Sequence, residues 1–184
     1  MGTTHNFDNA AASSVLSTDT LPLLPASNGP GKTATVAQLM GAVIAPIAAS
    51  GTLAMTQVAH AGKTIALDTA AGSVVTLPAS TGGGAVYCFL VTVTATTNSH
   101  VIKVANATDE MRGYVIQDSD TATAPNTWWA ADNDDTITLN RSTSGLAAQG
   151  EYFEIVDAVL NHFFVRGYSQ ASGTEVTPFS ATVA

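Results

Sequence analysis

Three acidic side chains near the C-terminus are candidates for acid–base chemistry. Glu151, Glu154 and Asp157 lie in one stretch that alternates like a β-strand. Paired carboxylates serve as general acid and base only where the fold brings them to a shared cleft. Successive side chains of a strand point to opposite faces, so Glu151 and Glu154, three residues apart, face away from each other. The spacing therefore argues against a catalytic dyad.

The acidic turn DNDD at residues 132–135 is the best candidate for a metal site. Asp132, Asp134 and Asp135 supply the hard oxygen ligands that calcium prefers. However, the spacing lacks the glycine and the closing glutamate of a calcium-binding EF-hand loop. The sequence predicts a solvated turn, with a weak calcium site as the alternative. We predict no cofactor.

The remaining chemical motifs are incomplete. Lys32 and Thr33 match the end of a phosphate-binding loop, but Ala26 stands where that loop needs its first glycine. The four histidines lack zinc-ligand spacing, although the fold could still bring three of them together. No GxSxG motif marks a nucleophile. We therefore expect a protein without enzymatic activity.

The side chains of Trp128 and Trp129 allow two interpretations. Adjacent tryptophans can form a platform on which a sugar stacks. On a strand, however, neighbouring side chains alternate, so one ring in the core and one at the rim is the favoured arrangement. Cys88, the single cysteine, lies between Tyr87 and Phe89 in an apolar stretch and is interpreted as a small buried side chain.

Composition and charge limit the partners. Charged residues make up 11% of the chain and the formal net charge is −8. An acidic surface repels phosphate, which disfavours nucleic acid and anionic membrane surfaces as partners. The apolar stretch at 39–49 is about half as long as a membrane span and contains Pro46. We also expect no signal peptide, because no basic segment precedes an apolar run.

Most of the chain is predicted to form short β-strands. The stretch 63–89 contains two alternating β-branched runs and a glycine-rich loop that leads into a third strand. Similar runs recur about every ten residues, at 52–58, 111–116 and 136–139 among others, and end in a predicted hairpin, 151–157 with 162–168. This pattern predicts an all-β fold, a jelly-roll or β-sandwich domain of about eight to nine short strands. We assign the domain and a C-terminal tail to residues 51–184.

Residues 1–50 are predicted to form an extended N-terminal arm with a short helix. The helix would begin at Thr33 or Thr35, because apolar residues recur at helical spacing after them. Ahead of it, two prolines hold an extended segment from which leucines protrude. The segment consists of Leu21, Pro22, Leu23, Leu24 and Pro25. Exposed leucines are a liability unless they bind a groove, so we predict that this segment contacts a subunit or partner.

Several short segments, taken in order, resemble virion proteins of tailed bacteriophages. The resemblance is to capsid decoration (cement) proteins and to related head-fibre or tail-associated proteins. It covers most of residues 18–180. The segments are TDTLPLL (18–24), GKTATVAQL (31–39), GKTIALD (62–68), VTLP (75–78), NSHVIKV (98–104), DTITLN (135–140), FVRG (164–167) and TPFS (177–180).

This resemblance implies a mechanical role. Cement proteins are typically β-rich trimers that sit on the outer surface of the capsid, bind the major capsid protein and clamp neighbouring capsomers. An N-terminal arm commonly reaches along the shell or onto a neighbouring subunit. The alternative is a receptor- or glycan-binding module of a fibre or tail, with Trp128 or Trp129 as the platform. A polysaccharide depolymerase is disfavoured, because the chain lacks the repeats of a long β-helix.

Overall fold

The computed structural model describes residues 20–23, 32–35, 45–120 and 124–183. The chain divides into two compact units, Met1–Ala45 and Pro46–Ala184. The predicted boundary near Gly51 lies five residues after this division. The expectations for Leu24, for Pro25 and for residues 36–44 fall outside the described residues.

The described part of the first unit is a two-stranded antiparallel ladder. Strand β1 (Thr20–Leu23) pairs with β2 (Lys32–Thr35), so that Thr20 lies opposite Thr35 and Leu23 opposite Lys32. The prediction that a helix begins at Thr33 is therefore wrong. Threonine is β-branched and favours an extended backbone, and here the neighbouring strand provides the hydrogen-bonding partner that the helix would otherwise supply.

The second unit is an all-β sandwich, which confirms the predicted fold class. Its strands are β3 (Ile47–Ala48), β4 (Thr52–Ala54), β5 (Thr64–Leu67), β6 (Val74–Thr76), β7 (Ala85–Val91), β8 (His100–Lys103), β9 (Glu110–Ser119), β10 (Asn126–Trp129), β11 (Thr136–Leu139), β12 (Tyr152–Val159), β13 (His162–Ala171) and β14 (Phe179–Ser180). One sheet has seven strands in the order β10-β9-β13-β12-β7-β5-β3, and the other has five in the order β14-β11-β8-β6-β4. The described strands thus exceed the eight to nine expected.

Strands β3 to β8 alternate between the two sheets. β3, β5 and β7 pair in parallel in the larger sheet, and β4, β6 and β8 pair in parallel in the smaller one. The turn after β5 therefore carries the chain from one sheet to the other. Gly72 lies in this turn with φ +89, and a Cβ there would be 2.4 Å from the Ser99 carbonyl oxygen. Glycine allows the two segments to approach this closely.

The second half of the sandwich contains the predicted hairpin and one long parallel pairing. β12 and β13 are antiparallel, which confirms the hairpin. β13 also pairs in parallel with β9 over ten residues, from His162 opposite Glu110 to Ala171 opposite Ser119. This pairing extends β9 well beyond the predicted 111–116, because a full-length neighbour supplies hydrogen bonds along the whole strand.

A short helix interrupts the region predicted to be the first strand of the domain. Only Thr52–Ala54 of the predicted 52–58 is a strand, and helix α1 (Gln57–His60) follows. The Thr56 hydroxyl accepts a hydrogen bond from the Ala59 amide at 3.3 Å and so caps the helix. No helix of the described residues is long and apolar enough to cross a membrane.

The core lies between the two sheets and is made of inward-facing strand residues. The larger sheet contributes bulky aromatic and aliphatic side chains, and the smaller sheet contributes mainly aliphatic ones. The largest fully buried members are Tyr87, Phe89, Phe153, Phe163, Ile65, Leu67, Leu77, Ile102, Met111, Ile137, Leu139 and Ile155. Burial of this apolar surface is the main source of the stability of the sandwich.

The division between the units gives a test by truncation. Deletion of residues 1–45 leaves the sandwich with all its strands, so we expect its melting temperature to match that of the full chain. Deletion of residues 1–50 also removes β3, the buried Ala49 and the hydrogen bond from the Ser50 amide to Asp68 at 2.8 Å. We expect this second truncation to lose about 2 kcal/mol of unfolding free energy. Thermal unfolding by circular dichroism measures both; equal melting temperatures for the two truncations would contradict the assignment of 46–50 to the sandwich.

Candidate functional site

The outer face of the seven-stranded sheet is unusually apolar. The face that a sandwich turns to water normally carries polar side chains. Here it carries large, partly exposed hydrophobic side chains from β9, β10, β12 and β13. We call this surface the aromatic face; its large members are Tyr114, Ile116, Trp129, Tyr152, Phe164 and Tyr168. A contiguous exposed apolar surface of this kind marks an interaction site.

The strand register places these side chains in rows across the sheet. In one row, Trp129 lies opposite Tyr114, Tyr114 opposite Arg166, and Arg166 opposite Glu154. In the next row, Ile116 lies opposite Tyr168 and Tyr168 opposite Tyr152. Directly opposite residues on one face of a sheet contact each other. The aromatic face is therefore continuous from β10 to β12.

A shallow depression lies in this face beside Trp129. The rings of Trp129 and Tyr114 are tilted by 49° with their centroids 5.1 Å apart. Together with Val156, Phe164 and Arg166 they line a volume of about 310 Å³. Aromatic walls with a guanidinium at the rim suit a ring-shaped apolar or sugar-like group.

The charges on the aromatic face are paired within it. Arg166 donates from Nε to Glu154 Oε1 at 2.7 Å, and this partner raises the pKa of the arginine. Arg112 contacts both Glu110 and Asp132. The two arginines and their three carboxylate partners leave one net negative charge, and the exposed Asp118 of β9 adds a second. Most of the −8 of the chain therefore lies elsewhere.

The two tryptophans have different environments. Trp128 packs against the core, and its Nε1 donates to Gln117 Oε1 at 2.8 Å. Trp129 is 68% exposed. This is the core-and-rim arrangement that the alternation favoured, and it leaves Trp129 as the ring available to a ligand. A glycan platform stays a prediction.

The cysteine belongs to the outer face. Cys88 is half-buried there, opposite Glu154 of β12, with its sulfur 3.9 Å from the Tyr152 hydroxyl. The interpretation of Cys88 as a buried side chain is wrong, because its neighbours Tyr87 and Phe89 occupy the two inward positions.

The acidic turn does not converge on a common point. Asp132 pairs with Arg112, and Asp134 Oδ2 accepts from the Ala131 amide at 2.7 Å. Asp135 is only 4% exposed, so the expectation of a solvated turn is wrong for this residue. Its carboxylate accepts from the amides of Thr182 and Val183 at 2.9 and 3.0 Å and so ties the C-terminal segment to β11.

In the part of the chain that the structure describes, no three His, Cys, Asp or Glu side chains are grouped so that they could hold a metal ion. The calcium alternative at Asp132, Asp134 and Asp135 therefore receives no support from the geometry. The three described histidines, His60, His100 and His162, also form no such group. His100 is buried, where it accepts from the Ser73 amide at 3.0 Å, and burial lowers its pKa.

The residues of the predicted arm are only partly described. Leu21, Pro22 and Leu23 belong to β1. Leu24 and Pro25 fall outside the described residues. Contact of this segment with a subunit or partner stays a prediction.

Asp157 serves as an anchor for the glycine-rich loop after β6. Its carboxylate accepts from the Ser80 hydroxyl at 2.7 Å and from the amides of Thr81 and Gly82 at 2.9 and 3.0 Å. Burial opposes ionisation, but these hydrogen bonds outweigh it and lower the pKa of Asp157. The carboxylate thus holds the loop in place, and its acceptor sites are taken up by protein donors.

Glu151 has a property that the sequence pattern did not indicate, a strongly raised pKa. It faces inward and Glu154 outward, as the alternation predicted. Glu151 Oε1 accepts from the amides of Leu146 and Gln170 at 3.0 and 2.9 Å. Burial raises the pKa of this carboxyl to about 7, in spite of these hydrogen bonds. Glu151 and Glu154 are separated by the sheet, so they form no acid–base pair.

Comparison with known proteins found no match: no family model, no curated protein and no solved structure is similar to this chain at a significant level.

The buried carboxyl of Glu151 predicts a pH dependence of stability. Because its folded pKa is raised from 4.5 to about 7, its contribution is fully present below pH 4.5 and is lost as the pH rises through 7. We expect this group to cost up to about 3 kcal/mol of unfolding free energy between pH 4 and 8. Urea unfolding across this range should show the loss in the wild type and not in Glu151→Gln, which mimics the protonated side chain.

The control for this experiment is Glu154→Gln, on the outer face of the adjoining strand β12. This variant leaves Glu151 in place, so the loss of stability that Glu151 causes should remain. Subtraction of the Glu151→Gln profile removes the contributions of other titrating groups, including His100. If the wild type and Glu151→Gln had parallel profiles, Glu151 would titrate in the folded protein as it does in water.

Proposed function

We propose that this protein is a structural virion protein of a tailed bacteriophage that decorates the outer surface of the capsid and stabilises the shell. The observation that carries the proposal is the division into an N-terminal unit and a sandwich with a core of its own. A clamp needs such a division, because one part must hold a position on the shell while the other reaches a neighbouring subunit. The ordered sequence resemblance supports the same role.

The packing of the sandwich suits a mechanical role. Buried carboxylates bind backbone amides in segments far apart in sequence: Asp157 holds the loop at 80–82, and Asp135 holds residues 182 and 183. Such bonds are strong in a buried setting, because one partner is charged. They tie loops and the C-terminal segment to the strands. A rigid body of this kind transmits load between the proteins that it connects.

The proposed partners follow from the same role. The major capsid protein is the binding partner, and three copies assemble around a junction between capsomers. With a net charge of −8, the chain disfavours nucleic acid and anionic membrane surfaces. No enzymatic step is required, because binding energy alone stabilises the shell.

The test is decoration of empty capsids by the full chain and by the truncation that lacks residues 1–45. We expect the full chain to co-sediment with capsids and to raise their disruption temperature. The truncation should remain folded and lose at least ten-fold in apparent affinity, because the arm no longer contributes. Full decoration by the truncation would contradict the role of the arm, and absence of binding by the full chain would contradict the capsid role.

A second candidate is a glycan-binding module of a fibre or tail, favoured by the exposed Trp129 beside the depression of about 310 Å³. On a glycan array we expect Trp129→Ala to lose at least ten-fold in binding, because stacking on the indole would supply much of the affinity. The matched control is Ile116→Ala on the same face, which should bind like the wild type. A wild type that binds no glycan would exclude this candidate.

A further inference from the structure

We infer that the aromatic face pairs two copies of this chain, sheet against sheet, about a two-fold axis. The axis runs parallel to the strands and lies over the boundary between β12 and β13. It places β13 of each copy over β12 of the other. In the same way β9 lies over β7, and β10 over β5. This inference concerns the free protein and does not depend on the proposed role on a capsid.

The distribution of side-chain size supports this arrangement. The side of the face formed by β9, β10 and β13 carries most of the bulky residues, among them Tyr114, Trp129 and Phe164. The exception is Tyr152 of β12, which the axis sets against Tyr168 of the other copy as an aromatic pair. The opposite side, formed by β5 and β7, carries small or medium residues such as Thr64 and Cys88. Sheets pack about 10 Å apart, a distance that needs large side chains opposite small ones. The two-fold axis provides this match, since it sets Tyr114 over Cys88 and Trp129 over Thr64.

The charges support the same axis. Arg166 and Glu154 lie opposite each other on the two strands next to the axis. The rotation therefore brings Arg166 of each copy over Glu154 of the other, and four charges alternate in sign at the centre of the interface. Over the rest of their surfaces, two copies that each carry a net charge of −8 repel each other. On the aromatic face, two arginines offset most of the carboxylates, so two copies can meet through this face at a lower electrostatic cost.

The area of the face is large enough for a stable pair. Two rows cross six strands and a third crosses four. With rows about 7 Å apart and strands about 4.8 Å apart, the face covers about 540 Å² per copy and about 1,080 Å² in total. Stable interfaces begin near about 1,000 Å². The composition also fits: aromatic residues and arginine are enriched at the centre of interfaces and lysine is depleted. A two-fold face closes on itself, so a three-fold assembly on a shell would use other surfaces of the chain.

The first test is the native mass of the full chain by light scattering at about 100 µM protein, a concentration at which a weak pair is still populated. We expect twice the chain mass of 18.7 kDa. Phe164→Glu should reduce the mass to that of one chain, because it buries an unpaired charge in the interface. The matched control is Val176→Glu: Val176 is exposed to the same degree as Phe164, 43%, and lies outside the seven-stranded sheet. This variant should keep the wild-type mass.

A charge exchange tests the position of the axis. Arg166→Glu and Glu154→Arg each set like charges against each other across the pair, and each should weaken association at least ten-fold. The double variant restores opposite charges and should recover the wild-type association. Circular dichroism confirms that all three variants are folded. A wild type with the mass of one or of three chains would overturn the inference, as would a Phe164→Glu variant that keeps twice the chain mass or a double variant that fails to recover.

Discussion

The parallel pairing of β9 with β13 is the interaction on which the rest of the described surface depends. It joins two strands that are distant in sequence, and it leaves β9 as the strand on which β10 pairs. It also requires Gly113, which has φ +115 and whose Cβ would be 2.0 Å from the Val165 carbonyl oxygen. Any side chain at this position would push the two strands apart. Without the pairing, Tyr114 and Trp129 would have no fixed relation to Arg166.

The scarcity of charge in this chain gives each carboxylate a larger structural role. Only 11% of the residues are charged. Several of the acidic ones are buried, and they accept hydrogen bonds from backbone amides rather than pairing with bases. Asp109, for example, accepts from the Ser80 amide at 3.0 Å, beside the loop that Asp157 holds. A buried carboxylate is stable only when its oxygens are satisfied, so these loops are determined by the aspartates as much as by their own sequence.

Local patterns in the sequence predicted local structure. The predictions failed where the position of a residue or strand depends on a partner that is distant in sequence. The alternation at 136–139 gave β11 with correct bounds, and the alternation at 151–157 correctly separated Glu151 from Glu154. The same reasoning could not tell that consecutive strands β5 and β6 belong to different sheets, because both pair with strands beyond their immediate neighbours in the chain. The apolar neighbours of Cys88 favour a core position for it, yet those neighbours take the core positions themselves. The raised pKa of Glu151 likewise depends on segments that only the fold brings around it.

The position of Cys88 has a practical consequence. The chain contains one cysteine, and its thiol lies on the small side of the aromatic face, on β7. A fluorescent or spin label on this thiol would therefore report on one defined surface, without removal of other cysteines and without an introduced attachment point. The signal of the label would change when another copy, a capsid or a sugar covers the face. One labelled sample would therefore serve to measure all three kinds of binding.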